Sequence, residues 1–284
     1  MISKVGVVGA GIIGKPIAER LLKAGFKVAV HDIRDEPVTA LAGAGAIACA
    51  SAAEVAARSE IVISLVLDAA QTDDVVSGTN GVLRTIRPGT LFATGSTLGP
   101  APVHRVATAL AARGCETIDM PITGGYVAAY DGKLALMVGA EEATLERALP
   151  VFRAFASVIT RAGGIGAGQS AKLAHQLILG LNVMALLEGL SLGVAGGVEP
   201  DVLRQIIRVG LANSAALQVW PDYAARWKSM LAPAPADAPL PNLRKDLHSA
   251  LELARELGVA LPIATLASQV ADAGTATGHA DAAL

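Results

Sequence analysis

Val5-Gly6-Val7-Val8-Gly9-Ala10-Gly11-Ile12-Ile13-Gly14 decides how this chain folds. An apolar run passes directly into a Gly-x-Gly-x-x-Gly turn, and the residues from Ile12 to Lys23 continue with the spacing of an amphipathic helix. Strand, tight glycine turn and helix in that order form the entrance to a dinucleotide site, where each glycine has a separate task. Gly9 permits the sharp turn, Gly11 lets a pyrophosphate approach the backbone, and Gly14 lets the helix pack closely on the strand. Ile12 and Ile13 complete the cofactor-binding turn, and the N–H groups at the helix start suit phosphate oxygens. A second strand, Lys27 to His31, ends at Asp32. That carboxylate follows the turn at about the 20-residue spacing expected of a ribose ligand. Its charge opposes a 2′-phosphate and favours NAD, whereas Arg34 offers a phosphate partner and keeps NADP open.

Working outward, apolar runs recur at Glu60–Leu67, Gly89–Ala93 and Cys115–Ile118, with alanine-rich helical stretches such as Ala101–Ala112 between them. Leu134–Val138 and Val158–Thr160 add late strands around a helix at Glu141–Phe155. Strands alternating with helices predict a parallel sheet covered on both faces. The fold class is therefore α/β, with an N-terminal Rossmann doubly wound sheet over residues 1–163. The glycine cluster Gly163-Gly164-Ile165-Gly166-Ala167-Gly168 marks a joint. Strand signals cease there, and helical patterns from Gln169 onward predict a C-terminal all-α domain over residues 164–284. Within it, the prolines of Ala232–Pro241 read as a loop, and Lys245–Leu257 as a helix stopped by Gly258 with Pro262 beyond.

Composition narrows the function classes. A formal charge of −2 lacks the basic surface expected of a nucleic-acid or anionic-membrane partner. Aromatic residues make up only 3% of the chain, so stacking on bases or sugars is not its main mode of binding. Cys49 and Cys115 lie far apart and outside any CxxC or Cys/His cluster, which suits a reducing cytoplasm and no metal site. The apolar start runs straight into the glycine turn and reads as a strand, not a leader. Leu177–Val198 is also long and apolar, but Asn182, Glu188 and its glycines favour a buried protein helix over a membrane span.

Three further segments carry chemistry. In Asp119-Met120-Pro121-Ile122-Thr123-Gly124-Gly125, a hydroxyl adjoins backbone N–H groups with no side chains to block an anion, an arrangement suited to a substrate carboxylate. In Gly166-Ala167-Gly168-Gln169-Ser170-Ala171-Lys172-Leu173-Ala174-His175-Gln176, Lys172 sits near the head of the first long helix. His175 and Gln176 follow it at three and four residues, on the same helical face. Most helical lysines are solvated surface charges; burial in a crevice would bring this one toward working pH and fit it for proton transfer. The third segment is Lys245-Asp246-Leu247, with Ala250 and Ala254 after it.

Taken in order with the N-terminal turn, these motifs resemble those of the β-hydroxyacid dehydrogenase family over nearly the whole chain. Its members include 3-hydroxyisobutyrate dehydrogenase, tartronate semialdehyde reductase and L-threonate dehydrogenase. The resemblance implies hydride transfer between NAD, or NADP, and a small 3-hydroxyacid or its semialdehyde or ketone. It implies Lys172 as general acid/base, with Thr123, Gly124, Gly125, His175 and Gln176 on the substrate. It also implies that Leu65 and Val66, Thr97 beside Ser96, and Lys245 contact the cofactor.

Departures from the family pattern are informative. Thr123 replaces the usual Ser, keeping the hydroxyl and narrowing the pocket with a methyl group. Thr94 stands where Asp is common, and Leu65-Val66-Leu67 where Met-Leu-Pro is usual. The aromatic residue usual before Lys245-Asp246 is absent. His175 replaces an Asn, as in L-threonate and 6-phosphogluconate dehydrogenases, and an imidazole there can bond an additional substrate hydroxyl or carboxylate. The competing reading of His175 is a core histidine satisfied by its own helix. His31, His104, His248 and His279 read as structural or surface residues. Two other functions stay open: an imine reductase-like enzyme, whose relatives generally lack the lysine, and a non-catalytic dinucleotide-binding protein, which leaves Lys172 and Thr123-Gly124-Gly125 unexplained. The long apolar helix needs more cover than one domain supplies, which predicts a homodimer or homotetramer.

Overall fold

The computed structural model describes residues 2–214, Leu217 and 239–276. The chain divides into two compact units, Met1–Lys172 and Leu173–Leu284.

The first unit is built on one sheet. Its strands are β1 (Lys4–Val8), β2 (Lys27–His31), β3 (Ile47–Ala48), β4 (Ile61–Ser64), β5 (Leu91–Thr94), β6 (Glu116–Asp119), β7 (Ile122–Thr123), β8 (Leu134–Gly139) and β9 (Ala156–Gly163). They lie in the order β3-β2-β1-β4-β5-β6-β8-β7, with β9 also paired to β8. The strands from β1 to β6 are parallel to one another. Helices α1 (Gly14–Lys23), α2 (Asp35–Gly43), α3 (Ala52–Arg58), α4 (Ala69–Ser77), α5 (Pro100–Ala111), α6 (Gly125–Asp131) and α7 (Glu142–Phe152) make the connections.

Alternate side chains of each central strand point to opposite faces, and both faces are dry. Val5, Val7, Ile61, Ile63, Leu91 and Ala93 join Ile17 and Leu21 of α1 in one core. Val8, Val62 and Phe92 join Val55 of α3 and Leu110 of α5 in the other. Two-sided burial is why these strands read as continuous apolar runs. Gly6 belongs to the second face, where a Cβ would stand 2.4 Å from Val55 Cγ1, so a glycine is needed for α3 to approach.

The all-parallel expectation fails at one edge. β8 runs antiparallel to β6 and β7, and only β9 returns parallel to it. Pro121, which has no N–H to give to a ladder, ends the β6 direction, and its carbonyl accepts from Met137 N at 3.1 Å.

In the second unit the chain continues along α8 (Ala167–Ala195), whose first turns belong to the sheet unit, then α9 (Pro200–Val209), α10 (Pro239–Leu257) and α11 (Pro262–Ala276). The helix expected from Lys245 thus begins at Pro239, since proline is well placed in a first helical turn. The loop assigned to Ala232–Pro241 lies outside the described residues as far as residue 238. Val183, Leu243, Leu247 and Ala267 form the buried centre. Gly180 lets α10 close on α8, because a Cβ there would meet Leu243 Cδ1 at 2.9 Å and Leu247 Cδ2 at 3.1 Å.

Its own chain covers α8 only in part, and the sequence reading assigns this helix more cover than one domain supplies. Ile178 is 59% exposed and Leu192 75%. By length and composition alone the helix is long and apolar enough to cross a membrane. It is apolar around its whole circumference, and so small a helical core cannot cover every side.

Candidate active site

The sheet order reverses at β1, which lies between β2 and β4. In an open α/β sheet the crevice for a ligand opens beyond the strand ends at such a reversal, and the glycine turn stands there. Gly9 N donates to His31 O at 2.9 Å, and Leu65 N to Val8 O at 2.8 Å. Gly9 has φ +92°, and a Cβ on it would lie 2.7 Å from Leu65 O. A Cβ on Gly14 would lie 1.8 Å from Gly9 O, so the helix can start here only as glycine. Gly11 differs. Among the described residues its Cβ would meet only Arg34 Nη2, at 3.5 Å, which leaves the room a dinucleotide needs beside the backbone. No side chain caps the start of α1 after Ile12 and Ile13, so its first-turn N–H groups suit phosphate oxygens. These residues fit the cofactor.

Asp32 closes the other side of the turn. Its Oδ2 accepts from Ala10 N at 2.7 Å, and its Oδ1 accepts from Arg34 N at 2.9 Å and Arg34 Nε at 3.1 Å. Burial raises its pKa, but the hydrogen bonds from Arg34 and Ala10, with the Arg34 charge, outweigh that and hold it below the ordinary carboxylate value. A carboxylate has more acceptor sites than these bonds occupy, so ribose hydroxyls remain within its capacity.

Leu65 and Val66 are half-buried just beyond β4, and Thr97 is half-buried beyond β5. Ser96, between the two loops, donates through Oγ to Val66 O. Thr94 is fully buried, and among the described residues its hydroxyl has no partner.

A polar bracket then fastens the head of α8 to the sheet unit. Asp119, at the end of β6, accepts from Gly166 N at 2.7 Å and Gln169 N at 2.8 Å. These are donors that a helix start otherwise leaves open. Gln169 is fully buried: its Nε2 donates to Ser96 O at 2.9 Å, and its Oε1 accepts from Leu98 N at 2.8 Å and Gly99 N at 3.2 Å. Neither Gly139 nor Gly168 has room for a Cβ, which would fall 2.1 and 2.7 Å from the Asp119 oxygens. Burial pushes Asp119 up to about 6, against the pull of the two backbone N–H groups and His104.

Lys172 lies three residues beyond Gln169 on α8 and is only 6% exposed, where lysines are almost never found unless paired. Thr123 pairs with Ala135 across β7 and β8. Gly124 and Gly125, with φ +115° and +66°, turn the chain into α6, and a Cβ on Gly124 would meet Ala128 Cβ at 2.8 Å. This turn needs both glycines, and it leaves their N–H groups bare of side chains.

In the second unit, Gln176 Nε2 donates to Asp246 Oδ2 at 2.5 Å, and His175 Nδ1 lies 3.0 Å from Gln176 Oε1. Lys245 Nζ stands 3.5 Å from Asp246 Oδ1. His31 meets Cys49 O at 3.1 Å, His248 meets Asp272 at 3.2 Å, and His279 lies outside the described residues. Among the described residues no three metal-ligating side chains gather. Sequence reasoning quoted Asp119, Gln169 and Asp246 within motifs but gave them no task; the available signal was a polar residue set among apolar and glycine neighbours. A concavity of about 460 Å³ among Lys4, Arg58, Glu60, Arg87 and Arg147 lies at the opposite ends of the strands. Its arginines bond Glu54, Ala57 O, Glu116 and Gly89 O, which marks it as structural.

Residues 4–164 match the family described as the NAD binding domain of 6-phosphogluconate dehydrogenase, and residues 166–284 that described as NAD-binding of NADP-dependent 3-hydroxyisobutyrate dehydrogenase. The chain is 34% identical to 2-(hydroxymethyl)glutarate dehydrogenase of Eubacterium barkeri, over 97% of this chain and 90% of that one. The chain belongs to the β-hydroxyacid dehydrogenase family. As a β-hydroxyacid dehydrogenase it is an NAD(P)-dependent oxidoreductase acting on the CH–OH group of a hydroxyacid. It is 32% identical to L-threonate dehydrogenase of Cupriavidus necator, over 98% of this chain and 93% of that one. The solved 3-hydroxyisobutyrate dehydrogenase of Mycobacterium tuberculosis with L-serine superposes with a TM-score of 0.86 at 28% identity, covering 99% of this chain and 96% of that one. A Rossmann sheet followed by a helical domain is thus this β-hydroxyacid dehydrogenase's fold.

Proposed function

We propose that Lys172 is the general acid/base of this dehydrogenase. The observation that carries this is a lysine 6% exposed, one helical turn beyond a buried bracket that fastens its helix to the loop after β5. When bound, the nicotinamide supplies or accepts the hydride. In oxidation the Lys172 amine takes the hydroxyl proton; in reduction the ammonium returns it to the forming alcohol. Thr123, with the N–H groups of Gly124 and Gly125, holds the substrate carboxylate. His175 and Gln176 contact its remaining polar groups. Lys245, Leu65, Val66 and Thr97 contact the cofactor, and Asp32 favours NAD over NADP because its negative charge stands where a 2′-phosphate would lie.

The substrate we propose is a 3-hydroxyacid of about three to five carbons, small enough to be held by few polar groups, with polyhydroxylated acids favoured by His175. The relatives named above are dehydrogenases of 2-(hydroxymethyl)glutarate, a larger hydroxyacid with two carboxylates, and of L-threonate, a smaller polyhydroxylated one. A homodimer or homotetramer would cover the apolar side chains that α8 exposes, and we place the enzyme in the cytoplasm. Turnover of L-threonate, D-glycerate, 3-hydroxyisobutyrate, L-serine and 4-hydroxybutyrate, each with NAD and NADP, tests the assignment. Activity on at least one 3-hydroxyacid, stronger with NAD, is the expected result; no activity on any of them with either nicotinamide would remove it.

A further inference from the structure

One side chain, Gln169, ties separate parts of the first unit together. Its Oε1 accepts from Leu98 N at 2.8 Å and Gly99 N at 3.2 Å. An amide oxygen only accepts, so the group turned to Ser96 O, 2.9 Å away, is the NH2. The side chain is fully buried, and solvent does not compete for these bonds. Ser96 is itself tied through Oγ to Val66 O. The loops after β4 and β5, which hold Leu65, Val66 and Thr97, thus meet at Ser96 and connect through Gln169 to the head of α8. Asp119 holds the same head by other atoms, accepting from the backbone N–H groups of Gly166 and Gln169. Backbone bonds at a helix start fix its place along the axis; a side chain bonded to three backbone groups stops it turning about that axis. Lys172 lies about 4.5 Å further along the axis. It is the last residue of the first compact unit.

We infer that Gln169 sets the distance and angle between Lys172 and the nicotinamide, by locking the helix that carries the lysine to the loops that receive the cofactor. Gln169 is a positioning residue and acts through Lys172. In oxidation the hydride leaves the substrate carbon for the nicotinamide while the proton leaves the attached oxygen for the amine. The two acceptors must therefore stand in one fixed geometry around one CH–OH group. A helix head free to shift by about 1 Å would lose on the order of 10²-fold in rate. The inference rests on the reading of Lys172 as the acid/base and of Leu65, Val66 and Thr97 as cofactor contacts.

Two substitutions in the full chain test it. Gln169→Met keeps the length and removes all the amide's bonds. Gln169→Glu keeps an oxygen for Leu98 N and Gly99 N, but when ionised sets its second oxygen against Ser96 O. Turnover is measured on the fastest of L-threonate, D-glycerate, 3-hydroxyisobutyrate, L-serine and 4-hydroxybutyrate, with saturating NAD. For Gln169→Met, kcat should fall at least about tenfold with NAD affinity kept within about threefold. For Gln169→Glu, the loss relative to the unaltered enzyme should deepen as pH rises, because the protonated acid restores the bond to Ser96 O. In a Lys172→Ala background either change should cost less than about twofold more, since the side chain it aims is gone. Should Gln169→Met not fold, the glutamate series carries the same comparison. Normal kcat in both variants, a fall confined to NAD affinity, or losses that multiply with that of Lys172→Ala would overturn the inference. A slow Lys172→Ala beside Gln169 variants of normal rate overturns it alone. Normal turnover by Lys172→Ala overturns the acid/base reading and the inference with it, as does a complete lack of turnover by the unaltered enzyme for the hydroxyacid assignment.

Discussion

Replacing Asp119 by Asn isolates the energetics of the bracket at the head of α8. The carboxylate is fully buried, receives two backbone N–H groups, and is pressed by Gly139 and Gly168. Burial raises it from 3.8 to about 6, so the folded protein binds this proton more tightly than the unfolded chain. The sign follows from linkage: the associated stability is fully present below 3.8 and is lost as pH rises through about 6. At about 1.4 kcal/mol per pH unit, that rise corresponds to roughly 3 kcal/mol between pH 3.8 and 7. The Asn variant keeps one acceptor and loses the titration. A constant penalty of about 1–3 kcal/mol for the second N–H accompanies it. Urea unfolding of both proteins from pH 4 to 7.5 provides the assay. Subtraction cancels Asp32, Glu54, Glu60 and Asp272, which are held low and contribute with the opposite sign. The difference should move toward the variant by up to about 3 kcal/mol as pH rises. Parallel curves, or movement toward the unaltered protein, would refute the reasoning.

The glycine turn separates folding from binding. Gly14→Ala drives a Cβ to 1.8 Å from Gly9 O and should lower stability by about 1–3 kcal/mol in thermal melts and abolish NAD binding. Among the described residues Gly11→Ala meets only Arg34 Nη2, so melting should hardly change while calorimetry shows NAD affinity reduced roughly tenfold. Asp32→Ala should shift the ratio of NADP to NAD affinity toward NADP by roughly tenfold or more, read by fluorescence titration of each nucleotide. Gln169→Ala leaves the N–H groups of Leu98 and Gly99 unpaired and should cost about 2–4 kcal/mol in urea; a loss below about 0.5 kcal/mol would mean the bracket holds nothing.

Contact geometry explains which features were legible in the sequence. Gly14 is dictated by the Gly9 carbonyl within the same short motif, and Gly9 by its positive φ and by Leu65 O on the neighbouring strand's loop, so the spacing of the turn reveals both. The central strands β1, β4 and β5 read as near-continuous apolar runs because both their faces are buried. By contrast, β3 and β7 have two residues each, too few to show a period, and the antiparallel turn of β8 depends on Pro121 and on pairing distant in sequence. The glycines of residues 163–168 read as a joint, but Asp119 ties Gly166 and Gln169 back to the sheet, and the compact unit runs on to Lys172. Asp119 and Asp246 had no visible tasks because their partners lie 47 to 70 residues away. That α8 needs more cover than its own domain gives was legible from its all-round apolar composition, but which of its side chains stay exposed was not.

Turnover of Lys172→Ala is the most direct test. With NAD affinity kept within about twofold, its kcat should fall by roughly 10²–10⁴, the usual share of a positioned acid/base. A variant that binds NAD and oxidises its hydroxyacid at the normal rate would contradict the assignment of the proton to Lys172.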